Sequence, residues 1–511
     1  MMRDEGEPGL VRYGQPAGRW VLLAAVLGSA LAFIDATVVN IALPRIGADL
    51  GAGAAGLQWA VNGYTLSLAS LILLGGSLSD MVGRRRTFVV GVSWFAGASL
   101  LCGLAPSIET LIAARVTQGV GGALLTPGAL AILESSFHRA DRARAIGAWS
   151  GLGGIAGAVG PFLGGWLVQV ASWRIVFLVN VPLAAIVVAV ALRHVPESRD
   201  PEAPRRLDVG GALAAASGLA GLTYGFTAWP SLGATSPAVL SSLALGLAGM
   251  VAFVFIERTV RHPMLPLEVF RSRAFTAANL VTFAVYAALG GFFFLLVLDL
   301  QVVAGFKPLA AGTSLLPVTA LMLLLSARAG AVAERIGPKV PMTVGPIVCA
   351  GGLLLLSQIG SKASYVHSVL PGVLTLGLGL SLTVAPLTAT ALGSVDERHA
   401  GIASGVNNAV ARAASLLAVA VLPLAAGLRT RALTDAASLA PTYRTAMLLC
   451  AVLLLAAAAI AFGAVPARAL ELREPTEADG GRIVGRSAGP ARIHCAIAGP
   501  PLHPRRDARP T

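Results

Sequence analysis

One carboxylate, Asp35, lies inside the apolar stretch Ala-Phe-Ile-Asp-Ala-Thr-Val-Val-Asn-Ile-Ala-Leu-Pro that runs from Ala32 to Pro44. An ionisable group within a spanning helix is costly and marks an ion pathway or a proton relay. The alternative is a helix end, where the group is simply solvated, but Leu43 is eight residues farther on, roughly 12 Å at helical rise. A second charge answers the first. Arg115, Gln118, Gly119 and Gly122 recur at i, i+3, i+4 and i+7, so they share one helix face. A guanidinium stays charged at any relevant pH, and its place in the outer half of its helix matches the depth expected for Asp35. A nearby cation lowers a carboxylate's affinity for a proton and desolvation raises it. Alternation between those environments would take up and release protons. A purely structural Asp–Arg pair is the competing reading.

The segment from Asp80 to Arg86 packs an acid, Gly83 and the bases Arg84, Arg85 and Arg86 into seven residues. Charge asymmetry across a membrane explains the arginines but not Asp80 and Gly83. A charge-relay latch between helices, broken and remade in a conformational cycle, accounts for all of them. Gly153, Gly157, Gly160 and Gly164 line one face of the fifth helix, beside Pro161. Small residues let another helix approach closely and proline permits a bend, so the face reads equally as packing or as a gating hinge. Asn40, Gln118, Asn279, Tyr286, Asn407 and Arg412 are the candidates to face a substrate cavity. Helix–helix hydrogen bonding is the alternative for the uncharged ones. Arg412 lies near mid-membrane, where a lone arginine needs a carboxylate, a carbonyl or water.

The elements that must position these groups are helices. Of 511 residues, 56% are hydrophobic and 12% charged, against about 25% charged in a soluble domain. That is the composition of an all-α polytopic membrane protein. Fourteen apolar runs of spanning length fall near 20–43, 57–78, 87–105, 110–133, 145–170, 175–192, 209–229, 236–256, 275–300, 309–327, 341–358, 366–390, 401–427 and 443–464. The net charge of +13 does not point to nucleic acid, because the basic residues occupy short loops between the runs. With a cytoplasmic N-terminus, the inner segments before the tail hold twenty-one Lys and Arg and the outer segments seven. That asymmetry places both termini in the cytoplasm. The first eighteen residues lack the layout of a cleaved signal peptide, so the first helix is expected to be retained.

The charged, proline-bearing connections 193–208 and 257–274 bracket the seventh and eighth runs. The expected organisation is an N-terminal tail at 1–18, a six-helix bundle at 19–193, linkers with an inserted helix pair at 194–273, a second six-helix bundle at 274–464, and a disordered basic tail at 465–511. The halves repeat. Gly76-Ser-Leu-Ser-Asp80-Met-Val-Gly83-Arg84-Arg85 is echoed by Gly330-Ala-Val-Ala-Glu334-Arg-Ile-Gly337-Pro-Lys339, and Gly119-Val-Gly121 by Gly377-Leu-Gly379. Paired halves with a site between them at the bilayer midplane are how many secondary transporters are built.

What is missing also discriminates. No Gly-x4-Gly-Lys-Ser/Thr phosphate loop, His-Glu-x-x-His or Cys-x-x-Cys occurs. Cys102, Cys349, Cys450 and Cys495 are far apart, without metal-ligand spacing, and the first three lie in apolar runs as packing residues. The expectations are no metal, no cofactor, no ATP and no enzyme activity, with protons as the coupling ion.

At this point the chain resembles the major facilitator superfamily, and specifically its fourteen-helix drug:proton antiporters. Gly76 to Arg85 is similar to the superfamily's loop motif between helices 2 and 3, and Arg115-Val-Thr-Gln118-Gly119-Val-Gly121 to its fourth-helix arginine motif. Gly157-Ala-Val-Gly160-Pro161-Phe-Leu-Gly164-Gly165 resembles the fifth-helix motif of antiporters, and Asp35-Ala-Thr-Val-Val-Asn40-Ile-Ala-Leu-Pro44 the first-helix motif of fourteen-helix exporters. Gln301-Val-Val-Ala-Gly305 with Pro308-Leu-Ala-Ala-Gly312 and Pro317 matches their pattern between helices 9 and 10. The resemblance implies the major facilitator fold, with two six-helix bundles and the extra pair between them. It also implies efflux of lipophilic or amphiphilic compounds against inward proton flow, with Asp35 and Arg115 central to coupling. Met81 and Val82 depart from the loop motif, and Arg412 falls where many members carry glutamine.

The leading expectation is a proton-coupled exporter of drugs or antibiotics in the cell membrane. It would work as a monomer on small lipophilic or cationic substrates, among membrane lipids. Its competitors are an exporter of a self-made metabolite or lipid, a nutrient uptake carrier, and a membrane receptor or scaffold without transport.

Overall fold

The computed structural model describes residues 10–200, 207–261, 263–395, 400–427 and 435–467. The expectations for the basic tail past residue 467, for the first nine residues and for Cys495 lie outside them. The described residues form helices and no strand. In chain order these are α1 (Pro16–Leu50), α2 (Ala54–Val82), α3 (Arg84–Gly103), α4 (Ile108–Ser136), α5 (Arg139–Val170), α6 (Trp173–Leu178), α7 (Asn180–His194), α8 (Val209–Leu232), α9 (Pro237–Thr259), α10 (Arg273–Val302), α11 (Pro308–Thr313), α12 (Leu316–Ile336), α13 (Lys339–Leu356), α14 (Leu370–Gly393), α15 (Ala400–Ala425) and α16 (Ala436–Ala464).

Two spans are broken, so these helices amount to fourteen crossings. α6 and α7 form one span interrupted at Val179, and α11 and α12 another. Among the described residues thirteen spans are long and apolar enough to cross a membrane. α5 is the fourteenth. It runs for 32 residues and carries the uncharged stretch 145–170.

α1 continues past its expected end at residue 43 and stops at Leu50, where Gly51 adopts φ +63° and returns its N–H to the Gly47 carbonyl. A left-handed glycine is the usual way to close a helix. The apolar run marks what lipid and core require, whereas the helix itself runs on until a residue turns it. Asp35 therefore stands fifteen residues before the end of α1, about 22 Å along the axis, deeper than the eight residues to Leu43 predict.

α1 to α7 form one six-span bundle and α10 to α16 the other, with α8 and α9 as the inserted pair. Packing within the first bundle centres on Phe88, Phe95, Leu125 and Leu133, all fully buried. The second is built around Phe292, Leu295, Met447 and Leu454. α8 and α9 approach backbone to backbone at Gly221 and Gly246, as small residues permit in a membrane. α8 also covers the seam between bundles, where Leu219 packs with Ala69 of α2 and Leu416 of α15.

The bundles are tied to each other at the end away from the arginine-rich loops. Gln58 donates to the Val419 carbonyl at 2.9 Å, and Gln301 to the Ile41 carbonyl at 3.0 Å. Gly165 of α5 lies against the backbone of Pro308 and Leu309, and Gly312 against the Pro161 carbonyl.

Candidate functional site: a buried carboxylate network

Asp35 and Arg115 are each 1% exposed, and the guanidinium donates to Asp35 Oδ2 at 2.5 Å. The other carboxylate oxygen, Oδ1, accepts from Gln118 Nε2 at 2.9 Å and from Asn180 Nδ2 at 3.4 Å. Gln118 Oε1 accepts in turn from Arg115 at 2.6 Å. Ser99 Oγ accepts from Gln118 and Asn180, at 2.7 and 3.3 Å. Arg115 Nε is spent on the Ala60 carbonyl at 3.0 Å, and its guanidinium lies 4.4 Å from the Tyr64 ring centroid and 5.7 Å from that of Phe177.

Each helix of the first bundle except α5 sends a group to this point: α1 the acid, α4 the base and amide, α2 a carbonyl and a ring, α3 a hydroxyl, α6 a ring and α7 an amide. Local sequence explains the convergence. Arg115 and Gln118 are three residues apart and lie on one face, and Asn180 begins α7 where the sixth span is broken. A buried ion pair repays its desolvation only when further hydrogen bonds satisfy the remaining atoms, and here both carboxylate oxygens are bonded. α5 contributes by contact. Gly160 and Gly164 lie flush against Thr37 and Val38 of α1, whereas Gly157 has nothing within 4 Å of where a side chain would start.

The loop cluster forms a second feature. Asp80 Oδ1 accepts from Arg84 Nε at 3.1 Å and from its NH2 at 2.9 Å. Gly83 has φ +132°, a region L side chains rarely adopt, and a Cβ there would stand 2.7 Å from Glu197 Oε1. Glu197 accepts the Arg85 N–H at 3.1 Å and faces the Arg85 and Arg86 side chains at 3.7 Å, while Arg85 also donates to the Val195 carbonyl at 3.1 Å. The loop is thus fastened to the segment that follows α7. Its echo in the second half keeps only the backbone: Gly337 has φ +87°. Glu334 is exposed and makes no ion pair among the described residues.

Of the cavity candidates, Gln118 is fully buried inside the Asp35 network. Asn279 and Asn407 bond to each other at 3.3 Å, and Asn407 to Thr282 at 2.8 Å, holding α10 against α15. Asn40 is half-buried on another face of α1, with Oδ1 unpartnered. Tyr286 and Arg412 are half-buried. Sequence reasoning missed Ser99, Asn180, Tyr64 and Glu197. Asn180 had a usable signal, being the one amide in the apolar run 175–192. Ser99 and Tyr64 had none. Among the described residues no group of three or more His, Cys, Asp or Glu could hold a metal ion.

The comparisons bear on the family and the fold. A family model described as Major Facilitator Superfamily matches residues 25–419. The multidrug resistance protein Stp of Mycobacterium tuberculosis is 37% identical over 402 residues, covering 78% of this chain and 74% of that protein. The tetracenomycin C resistance and export protein of Streptomyces glaucescens is 35% identical, with the same coverages. The puromycin resistance protein pur8 of Streptomyces alboniger is 35% identical over 80% of this chain and 81% of its own. Among solved structures, a bacterial homologue of the human lysosomal transporter Spinster, inward-facing and occupied, superposes with a TM-score of 0.63 at 18% identity, over 88% of this chain and 97% of that one. At that identity the likeness speaks for the fold.

Proposed function

The chain belongs to the major facilitator superfamily, and we propose that it is a proton-coupled exporter of small lipophilic or amphiphilic drugs or antibiotics. The observation that carries the reading is Asp35, a carboxylate 1% exposed yet fully bonded to Arg115, Gln118 and Asn180. When Asp35 is ionised its charge is cancelled by Arg115, and the site is closed. A proton arriving at Oδ2 removes the attraction that holds that oxygen to the guanidinium. Arg115 itself stays anchored by the Ala60 carbonyl and the Tyr64 ring. Protonation therefore loosens α1 from α4 and leaves α4 in register with α2. α1 also bears on α5 and, through Ile41 and Gln301, on the second bundle. A change at one carboxyl thus reaches the seam between the halves.

The remaining parts of the reading belong with it. The arginine-rich loops face the cytoplasm with both termini, the membrane is the cell membrane, and the protein acts as a monomer without ATP or a bound cofactor. Asp80, Gly83, Arg84 and Arg85 serve as a gate on the cytoplasmic side, and Gly160, Pro161 and Gly164 as the contact on which the halves rock, with Gly157 in the same motif. The charge imbalance between Lys- and Arg-rich and Lys- and Arg-poor loops supports the orientation.

Everted vesicles energised with a proton gradient, with a panel of dyes and antibiotics, test the proposal. Added substrate should release protons from the lumen, and Asp35→Asn should abolish gradient-driven uptake while substrate still binds. Transport that continues unchanged with the gradient collapsed, or undiminished pumping by Asp35→Asn, would overturn it.

A further inference from the structure

Resting on that reading, the geometry points to a substrate that carries a negative charge: a lipophilic organic anion, such as a carboxylate, sulfonate or acidic phenol, held by Arg412 in the seam between α2, α10 and α15.

The register of α15 on α2 is set by two contacts. Gln58 reaches the Val419 carbonyl, and Gly405 faces Leu73. The helices run antiparallel, so Arg412 stands level with residues 65 and 66 of α2, beside Tyr64. One turn on, Ser415 donates to the Tyr286 carbonyl of α10 at 3.1 Å, which sets Arg412 against that helix as well. Arg412 makes no ion pair and no hydrogen bond among the described residues. The arginine in the other bundle behaves differently, since Arg115 spends its charge on Asp35. The guanidinium inside the first bundle is thus neutralised, and the one at the seam, among the described residues, is not.

The groups around Arg412 are also short of partners. Asn62, one turn from Gln58 on α2, is fully buried with neither its amide nitrogen nor its oxygen bonded among the described residues. Buried polar groups are normally satisfied, and an unpaired charge at membrane depth marks a substrate or ion pathway. A cation on α15 and a buried amide on the facing side of α2, both left open, are donors awaiting an acceptor. An anion supplies that acceptor, whereas a cationic substrate would meet an uncancelled positive charge. Lipophilic cations, admitted by the sequence, are therefore disfavoured at this point.

Charge balance adds a consequence. Exchange of one monoanion outward for one proton inward moves two elementary charges in the same sense, so a membrane potential alone drives it. Exchange of a monocation for one proton is electroneutral.

The test uses the full chain in phosphatidylcholine proteoliposomes, which excludes an anionic lipid headgroup as the occupant. The matched probes are anilinonaphthalene sulfonate, its uncharged relative phenylnaphthylamine, and ethidium as a cation. Wild type should transport the sulfonate in preference to the other two, and a potential of the right sign should drive it without a pH gradient. Arg412→Gln should cut sulfonate transport about tenfold, the factor one charge-assisted hydrogen bond carries, with phenylnaphthylamine little changed. Arg412→Lys should retain the preference. Equal transport of all three probes by wild type would overturn the inference without any variant, as would an Arg412→Gln protein that still prefers the sulfonate. Proton-driven transport of ethidium or phenylnaphthylamine alone would sink the anion and leave the exporter standing.

Discussion

Gly160 of α5 and Thr37 of α1 meet with no room for a side chain between them: a Cβ on Gly160 would overlap Thr37 Oγ1, which is bonded to the Phe33 and Ile34 carbonyls of its own helix at 3.1 and 3.0 Å. Thr37 is two residues past Asp35. Any shift of α5 is therefore felt on the helix that carries the buried carboxylate, and any shift of α1 on the contact that α5 makes with α11.

That contact separates two glycines of one motif. Gly160→Ala is expected to lose most gradient-driven efflux, whereas Gly157→Ala, with open space around it, keeps it. Both substitutions gain about 1 kcal/mol of helix propensity, so a difference between them reports packing. Dye efflux at matched membrane expression measures it, and equal loss at both positions would remove the contact from the mechanism.

Arg115→Met leaves the Asp35 charge buried without its counter-ion, a destabilisation of about 3–5 kcal/mol. Asp35→Asn strands the arginine in the same way. The double variant should be more stable than the sum of the singles predicts, while proton-coupled transport stays absent in all three. Thermal unfolding in detergent closes the cycle, and strict additivity would mean that the pair is not coupled.

Glu197 fastens the loop after α2 through the Arg85 N–H. Its side-chain partners are partly exposed, Arg86 to 62%, and pairs of that kind contribute about 0–1 kcal/mol. Glu197→Ala should therefore leave Tm nearly unchanged while hydrogen exchange at Arg85 quickens. Gly83→Ala should disturb more, because it adds both a clash and a backbone angle that alanine resists. An unfolding temperature that falls further with Glu197→Ala than with Gly83→Ala would contradict this order.

Asp299 of α10 is fully buried, and neither carboxyl oxygen has a partner among the described residues. Nearby Tyr443 donates instead to the Leu356 carbonyl at 3.1 Å. A polar group left unbonded in an apolar setting costs about 1–3 kcal/mol on mutational scales. Asp299→Leu should thus raise the unfolding temperature in detergent and leave efflux intact. A fall in stability would mean that the carboxyl is satisfied by water.

The helices, their number and the two suspect charges were legible because a bilayer imposes strong rules on sequence. A span needs its run of apolar residues, and every charge inside one stands out. Asp35 and Arg115 were found for that reason, as was Arg412. Gln118 reads from the sequence as a cavity residue because spacing shows which face a side chain shares, and not whether that face looks onto space or onto another helix. Ser99 and Tyr64 escaped for a related reason, since hydroxyls and rings occur throughout membrane helices.

Sequence by itself determined the fourteen spans, the repeat of the halves and the loop glycine at residue 83, all properties of local pattern. Tertiary structure alone decided that Asn180 and Ser99 complete the shell of Asp35 and that Glu197 is the loop's anchor. It also decided that Arg115 is paired and that Arg412, among the described residues, is not. A residue's type states what charge it brings. Only the packing of distant helices states whether that charge is already answered.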